Sequence, residues 1–200
     1  MRVRPSRSSI AGWRDASSVQ PAIIAEFVRL KVDVIVTHAT PNVLAAKQVT
    51  SVIPIVFASA GDPVGNGLVT SLARPGANVT GLSVQSTDLV DKSVELLRDL
   101  LPKLGRVAIL YHVGNPVTAL QADAVKAVAG RFGVAVVIVE IRGAEDIAPA
   151  IEALEGRSDA LIIPSEPLYN TNRAQINSSD SEGTSCRPST SIGYMWIRAA

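Results

Sequence analysis

The sequence predicts an α/β protein made of two lobes, each built on a parallel sheet. Three observations predict it. Short apolar runs rich in Val, Ile and Leu alternate with helical patterns from residue 21 to residue 165. Apolar residues make up 47% of the chain and aromatics only 4%, a mix that suits buried parallel strands covered by Ala-rich helices. The alternation breaks over 84–106, where one long helix stands without a strand. That break predicts a boundary between an N-terminal lobe at 21–85 and a C-terminal lobe at 86–176.

The elements follow in order. PAIIAEFVRLK (21–31) puts Ile23, Ile24, Phe27 and Leu30 on one helical face, with Pro21 suited to the first turn. VDVIVTH (32–38) is an apolar run expected as a buried strand. Thr40-Pro41 opens a helix to about Thr50, with Thr40 as N-cap and Pro41 at the first helical position. IPIVFAS (53–59) is a second strand, and GDPVGNG (61–67) is a loop expected to lead into a short helix, LVTSLAR (68–74). Pro75-Gly76 marks a turn before the strand NVTGLSV (78–84). DLVDKSVELLRDLLP (88–102) has the period of a long amphipathic helix. The strand RVAILYH (106–112) ends at the turn Gly114-Asn115-Pro116, and a helix over 118–133 closes on Gly133. VAVVIVEI (134–141), AEDIAPAIEALEG (144–156) and DALIIPS (159–165) read as strand, helix and strand. Helices of this length between strands are right-handed crossovers, which is why the sheets are expected to be parallel.

The two ends differ from this pattern. Residues 1–20 are rich in Arg and Ser, and 177–200 are Ser-rich and hold the single cysteine, Cys186. Both are expected to be poorly specified tails. PAIIAEFVRLKVDVIVTH (21–38) and PAIEALEGRSDALIIPS (149–165) share a Pro-Ala-Ile helix start and an Asp, Asp33 or Asp159, opening an apolar strand. The match suits two related lobes, though any two αβ units share as much.

Composition narrows the function. A net charge of +1 gives no electrostatic footprint for nucleic acid or an anionic membrane surface. One cysteine excludes a disulfide framework and a thiolate zinc cluster. The N-terminus is basic but has no apolar core, so it does not read as a signal peptide. There is no Gly-x-Ser-x-Gly, no Walker-type phosphate loop and no Gly-x-Gly-x-x-Gly after a strand. His38 and His112 fall at strand ends outside any spaced metal motif, so neither a metal nor another cofactor is expected.

In parallel sheets ligands bind beyond the carboxyl ends of the strands. The helix start at Thr40-Pro41 suits a carboxylate, or is a plain helix cap. Asp62 could meet an ammonium group, or could close its own turn. Glu166 holds the equivalent place in the second lobe. Two acids and a helix N-terminus would together suit a zwitterion, an amino acid. Asn115 is a ligand contact or a turn starter, and Tyr111 and Tyr169 are stacking platforms or core residues. The Asn-x-Ser/Thr triplets at Asn78 and Asn177 are discounted as glycosylation sites, because nothing else in the sequence suggests a secreted eukaryotic protein.

The run VDVIVTHATPNVLAAKQVTSVIPIVFASAGDPVGNGLVTSLARPGANVTGLSVQSTDL, followed by ELLRDLLPKLGRVAILYHVGNP and RGAEDIAPAIEALEGRSDALIIPSEPLYNTNRAQI, resembles the bacterial ABC-transporter substrate-binding proteins. That family includes binders of aromatic amino acids. The resemblance covers roughly 22–176. It implies a type I periplasmic-binding-protein fold: two Rossmann-like lobes closing on a small-molecule ligand, and a membrane permease as partner, without catalysis. By the same resemblance the ligand contacts fall on Ala39, Thr40, Pro41, Ser59, Asp62, Ser83, Asn115, Ser165 and Glu166. The family often has Asp where this chain has Glu166, one methylene longer. It also implies a periplasmic or lipid-anchored extracytoplasmic location.

Against the family pattern the chain reads as truncated at both ends, so the fold is expected to be incomplete. The flanks look like translation in another frame or a gene remnant. Reading the adjacent nucleotide sequence in the other frames checks this, and absence of a family-like continuation there removes the idea. The alternatives to a solute-binding component are a nonfunctional fragment of such a protein, a cytosolic flavodoxin- or Rossmann-type enzyme, and a ligand-sensing regulatory domain.

Overall fold

Parallel strands bury their side chains under helices laid against the face of the sheet, and the elements of this chain divide into two groups that build such a layer separately. The computed structural model describes residues 21–84, 88–178, 186–189 and 193–197. The chain forms two compact units, one up to Gln85 and the other from Ser86. The expectation for residues 1–20 lies outside the described residues.

The first unit contains α1 (Pro21–Arg29), β1 (Ile35–Thr37), α2 (Thr40–Val49), β2 (Ile55–Ala60) and β3 (Val79–Ser83). Its strands lie side by side in the order β1-β2-β3, all parallel. Ile35, Ile55, Phe57 and Val79 point into a core closed by Ile24 of α1 and by Val43 and Ala46 of α2. Ile23 is more exposed than the helical pattern predicts, at 36%, because the stripe centres on Ile24 and Phe27. On the other side of the sheet Val36 and Leu82 are exposed. The β2–β3 pairing slips after Phe57↔Gly81 and resumes at Ala60↔Ser83, so Ala58 and Ser59 oppose Leu82 alone. Such a bulge re-aims the residues at a strand's end.

Two local expectations are corrected. The N-cap of α2 is Ala39, not Thr40, and Pro41 sits one residue further into the helix. Thr40 already has a helical place, and its hydroxyl donates to the carbonyl of Gly61 at 3.1 Å instead of capping. The segment 68–74 forms no helix. Leu68 and Val69 N–H both reach back to Pro63 O, and the Thr70 hydroxyl takes the carbonyls of Arg74 and Pro75. Lys47 donates to the carbonyls of Gly67 and Leu68 at 2.5 and 3.1 Å. With its backbone groups satisfied this way, the segment gains nothing from helical bonds.

The second unit contains α3 (Asp88–Leu100), β4 (Arg106–His112), α4 (Pro116–Arg131), β5 (Ala135–Ile141), a single 3-10 turn (Ala144–Asp146), α5 (Ile147–Glu152), β6 (Ala160–Ile163), α6 (Pro167–Thr171), α7 (Arg173–Ser178), β7 (Cys186–Ser189) and β8 (Gly193–Ile197). The sheet order is β5-β4-β6-β8-β7. β4 runs parallel to both β5 and β6. Its residues Val107 to Leu110 are fully buried, because both faces are covered. Val107 and Ile109 face the core of α3 and α4, with Val94, Leu97 and Val125. Ala108 and Leu110 face Ile147, Leu168, Tyr169 and Ile176. This two-sided burial is why the strand reads as one continuous apolar run. Gly133 follows α4 at φ 69, a left-handed helix stop that glycine adopts without strain.

Four elements had no counterpart in the sequence reading. Helices α6 and α7 follow β6, and the antiparallel pair β7–β8 lies within the Ser-rich tail. β8 pairs antiparallel with β6, from Ala160↔Ile197 to Ile163↔Tyr194, so the parallel sheet gains a mixed edge. The run Gly-Tyr-Met-Trp-Ile carries the β-favouring residues that permit this. Cys186 lies in β7.

Candidate functional site

The carboxyl ends of the strands gather the residues of interest, within each unit separately. In the first unit, β1 ends at Thr37 and hands the chain through Ala39 to α2. Ala39 has φ 65 and ψ 140, a conformation close to glycine territory. It is held there because its N–H donates to Ser59 O at 2.8 Å while its carbonyl accepts from Val43 N–H. Thr40 reaches Gly61 O, and Asn42 donates to the carbonyl of His38 at 3.0 Å. Burial pushes the His38 imidazole below its ordinary range, favouring the neutral form. Ala39, Thr40 and Ser59 thus belong to one bonded loop cluster, and Ser83 joins it through its register with Ala60.

Asp62 lies in the same cluster at φ 39. Its Oδ1 accepts from Gly65 N–H at 2.9 Å, so the side chain closes its own turn, the local role the sequence left open beside ligand contact. Asn66 completes the turn by donating to the carbonyls of Gly61 and Asp62. A Cβ on Gly65 would fall 2.2 Å from Asp62 Oδ2, so the carboxylate would have to shift to admit one. No side chain caps α2, which leaves its N-terminus open to an acceptor from elsewhere.

The backbone at Ala39 yields a prediction. Ala39→Gly removes a strained φ/ψ at the cost of extra freedom in the unfolded chain, and the net expectation is a gain of about 1 kcal/mol. Urea denaturation measures it, and a destabilised variant would show that Ala39 is not strained.

In the second unit the loops after β4 and β6 meet. Asn115 is the N-cap of α4, its Oδ1 accepting from Val117 N–H at 3.1 Å. Its Nδ2 donates to Glu166 Oε2 at 3.3 Å. Glu166 is the N-cap residue of α6, without capping through its side chain. His112 Nδ1 lies 3.2 Å from Glu166 Oε1, at ion-pair distance but off the line of a hydrogen bond. His112, Asn115 and Glu166 are all buried. The Thr118 hydroxyl anchors the loop by donating to the carbonyls of His112 and Asn115. Ser165, next to Glu166, is exposed.

The sequence reading named Asn115 and Glu166 but left His112 out of the site. The signal was present: two residues after Leu110 on a strand, His112 faces the same side as Leu110, toward α6. Tyr169 is fully buried and belongs to the core rather than to a stacking surface. Its burial, with the Glu166 charge nearby, pushes the phenol well above its ordinary range, so it stays neutral. Among the described residues no cluster of three His, Cys, Asp or Glu side chains could hold a metal ion. The loops offer hydrogen-bonding groups, one buried carboxylate and an uncapped helix N-terminus, the equipment of non-covalent recognition.

The chain's relatives agree in kind. The family model described as ABC transporter substrate binding protein matches residues 14–182, reaching further at both ends than the resemblance read from the sequence. A tyrosine-binding protein of Clostridioides difficile strain R20291 is 34% identical over 147 residues, which are 74% of this chain and 42% of that protein. Among solved structures, the ABC domain from Streptococcus pneumonia in complex with L-Trp superposes with a TM-score of 0.72 at 26% identity, covering 80% of this chain and 55% of that one. A conserved domain protein from Vibrio cholerae O1 biovar El Tor gives 0.69 at 31% identity, covering 80% and 56%. The periplasmic binding ribose operon repressor of Lactobacillus acidophilus, at 19% identity and a TM-score of 0.53, shares the fold. This chain therefore spans about half the length of the relatives it matches.

Proposed function

The chain belongs to the ABC transporter substrate-binding protein family, and from that membership we propose that it binds a small molecule, an amino acid of the aromatic class, for delivery to a membrane permease, without chemical turnover. The observation that carries the reading is the 34% identity to a tyrosine-binding protein over three quarters of this chain. The L-Trp complex of the streptococcal relative points to the same ligand class. The chemistry at the strand ends is compatible. Taken unit by unit, the uncapped N-terminus of α2 in the first suits a carboxylate, and Glu166 in the second suits an ammonium group. Ala39, Thr40, Pro41 and Ser59 of the first unit, and Asn115, Ser165 and Glu166 of the second, are the contacts the proposal assigns. Ser83 and Asp62 shape the loops beside them, with the Asp62 carboxylate bound into its turn. Delivery to a permease places the protein on the outer side of the cytoplasmic membrane. No helix among the described residues is long and apolar enough to cross a membrane.

A thermal-shift series with L-Tyr, L-Trp, L-Phe and L-Leu tests the reading. Ligand at about 100 times its dissociation constant stabilises by about 2.7 kcal/mol. The expected result is a rise of several degrees with an aromatic amino acid and less with Leu. No rise with any of the four overturns it.

A further inference from the structure

The buried pair His112–Glu166 is unusual for what it leaves unsatisfied. Each residue is 5% exposed. One oxygen of the carboxylate, Oε2, accepts from Asn115. The other, Oε1, and the facing His112 Nδ1 have no hydrogen-bond partner although they lie 3.2 Å apart. A buried carboxylate oxygen left in this way is costly, and a small rotation or a proton between the two atoms removes the cost. The pair also bridges the two loops that follow β4 and β6, because Asn115 caps α4 while Glu166 begins α6.

We propose that His112 is a positioning residue for the loop after β6, and that a proton taken up between its Nδ1 and Glu166 Oε1 is released when ligand binds. This rests on the amino-acid-binding reading above, in which Glu166 meets the ligand's ammonium group. With His112 protonated, Glu166 is committed to the imidazolium, and an incoming ammonium group faces a competing cation. With His112 neutral, the carboxylate is available. Binding therefore favours the deprotonated imidazole, and affinity rises with pH.

Among the described residues bonded to the pair or acting on it, none supplies a rival titration. Helix α6 contributes Tyr169, which burial and the Glu166 charge hold neutral. The α4 side contributes Asn115 and Thr118, neither of which titrates. Gly114 adds no side chain, and a Cβ there would fall 3.2 Å from His112 Nε2. His38, the second histidine, belongs to the first unit, and comparing variants at His112 separates its contribution.

The test is the affinity for L-Tyr and L-Trp, by calorimetry, at about pH 5.5 and about pH 8, the span in which histidines commonly titrate. The expected result for the unsubstituted chain is severalfold tighter binding at the higher pH, bounded by about tenfold per pH unit for one released proton. In His112→Gln the pH dependence disappears, and affinity at about pH 8 falls because the loop after β6 has lost its positioning partner. In Glu166→Gln binding weakens and loses its pH dependence. An unchanged pH profile in His112→Gln overturns the inference and leaves the binding function standing. Absence of binding at both pH values overturns the function, and the pair is then read without ligand. A double-mutant cycle of urea stability between His112→Gln and Glu166→Gln should show a coupling at about pH 5.5 that shrinks at about pH 8. A coupling of zero at both, or one indifferent to pH, overturns the shared proton.

Discussion

Gly81→Ala is expected to cost about 3 kcal/mol and to lower the melting temperature of the first unit by about 10–20 °C. A Cβ at this position would stand 2.0 Å from the carbonyl oxygen of Phe57 and 2.6 Å from two atoms of its ring. Phe57 pairs directly with Gly81, and its ring is buried in the core. The obstructing oxygen is backbone in the central strand, so it cannot swing aside as a flexible side chain would. Relief requires separating β2 from β3 or expelling Phe57. Thr80→Ala, at an exposed position of the same strand, is the control and should be nearly neutral. Melting followed by circular dichroism decides the matter, and a Gly81→Ala melt like that of the control would refute the steric account.

Asn115→Ala is expected to cost about 2–4 kcal/mol in the second unit, as the sum of two losses. Removing the N-cap of α4 costs about 1 kcal/mol. Depriving buried Glu166 of its donor costs about 1–3 kcal/mol more. Asn115→Asp separates the two. It keeps an acceptor for Val117 N–H and places a negative charge at a helix N-terminus, which is favourable. It also sets a second carboxylate about 3.3 Å from Glu166 with no proton between them. Like-charge repulsion raises the folded-state affinity of that pair for a proton above its unfolded value. The variant should therefore be at its most stable in acid and lose stability as pH rises through the folded titration. Urea denaturation at two pH values measures this. If Asn115→Asp matches the unsubstituted chain at neutral pH, the Asn115–Glu166 bond carries no weight.

These two residues also show what was legible in the sequence and what was not. Asn115 before Pro116 announces a helix start, and the structure makes it the cap of α4. That the same side chain reaches Glu166, 51 positions later, depends on β4 and β6 lying side by side. Gly81 sits inside a β-favouring run with nothing local to demand a glycine. Its register against Phe57, together with a φ of 158 that the fold imposes, supplies the reason. His112 was visible as a polar end to an apolar strand, but its partner was fixed by packing. Thr40 misled, because Thr-Pro is a sound capping signal and the bond to Gly61 from the neighbouring loop outcompeted it. The LVTSLAR segment misled for the same reason: Lys47 of α2, Pro63 and Thr70 satisfy its backbone without helical bonds of its own.

Sequence alone determined the alternation of strands and helices and the two-faced burial of β4, because these follow from periodicity and from how much apolar surface each segment must hide. It also carried the family, through motifs that lie on single loops. Tertiary structure decided which loops meet, which polar groups lose water together, and how β8 comes to pair with β6. Those outcomes depend on contacts between residues far apart in the chain, where an uncompensated polar atom is paid for only once the strands around it are in place.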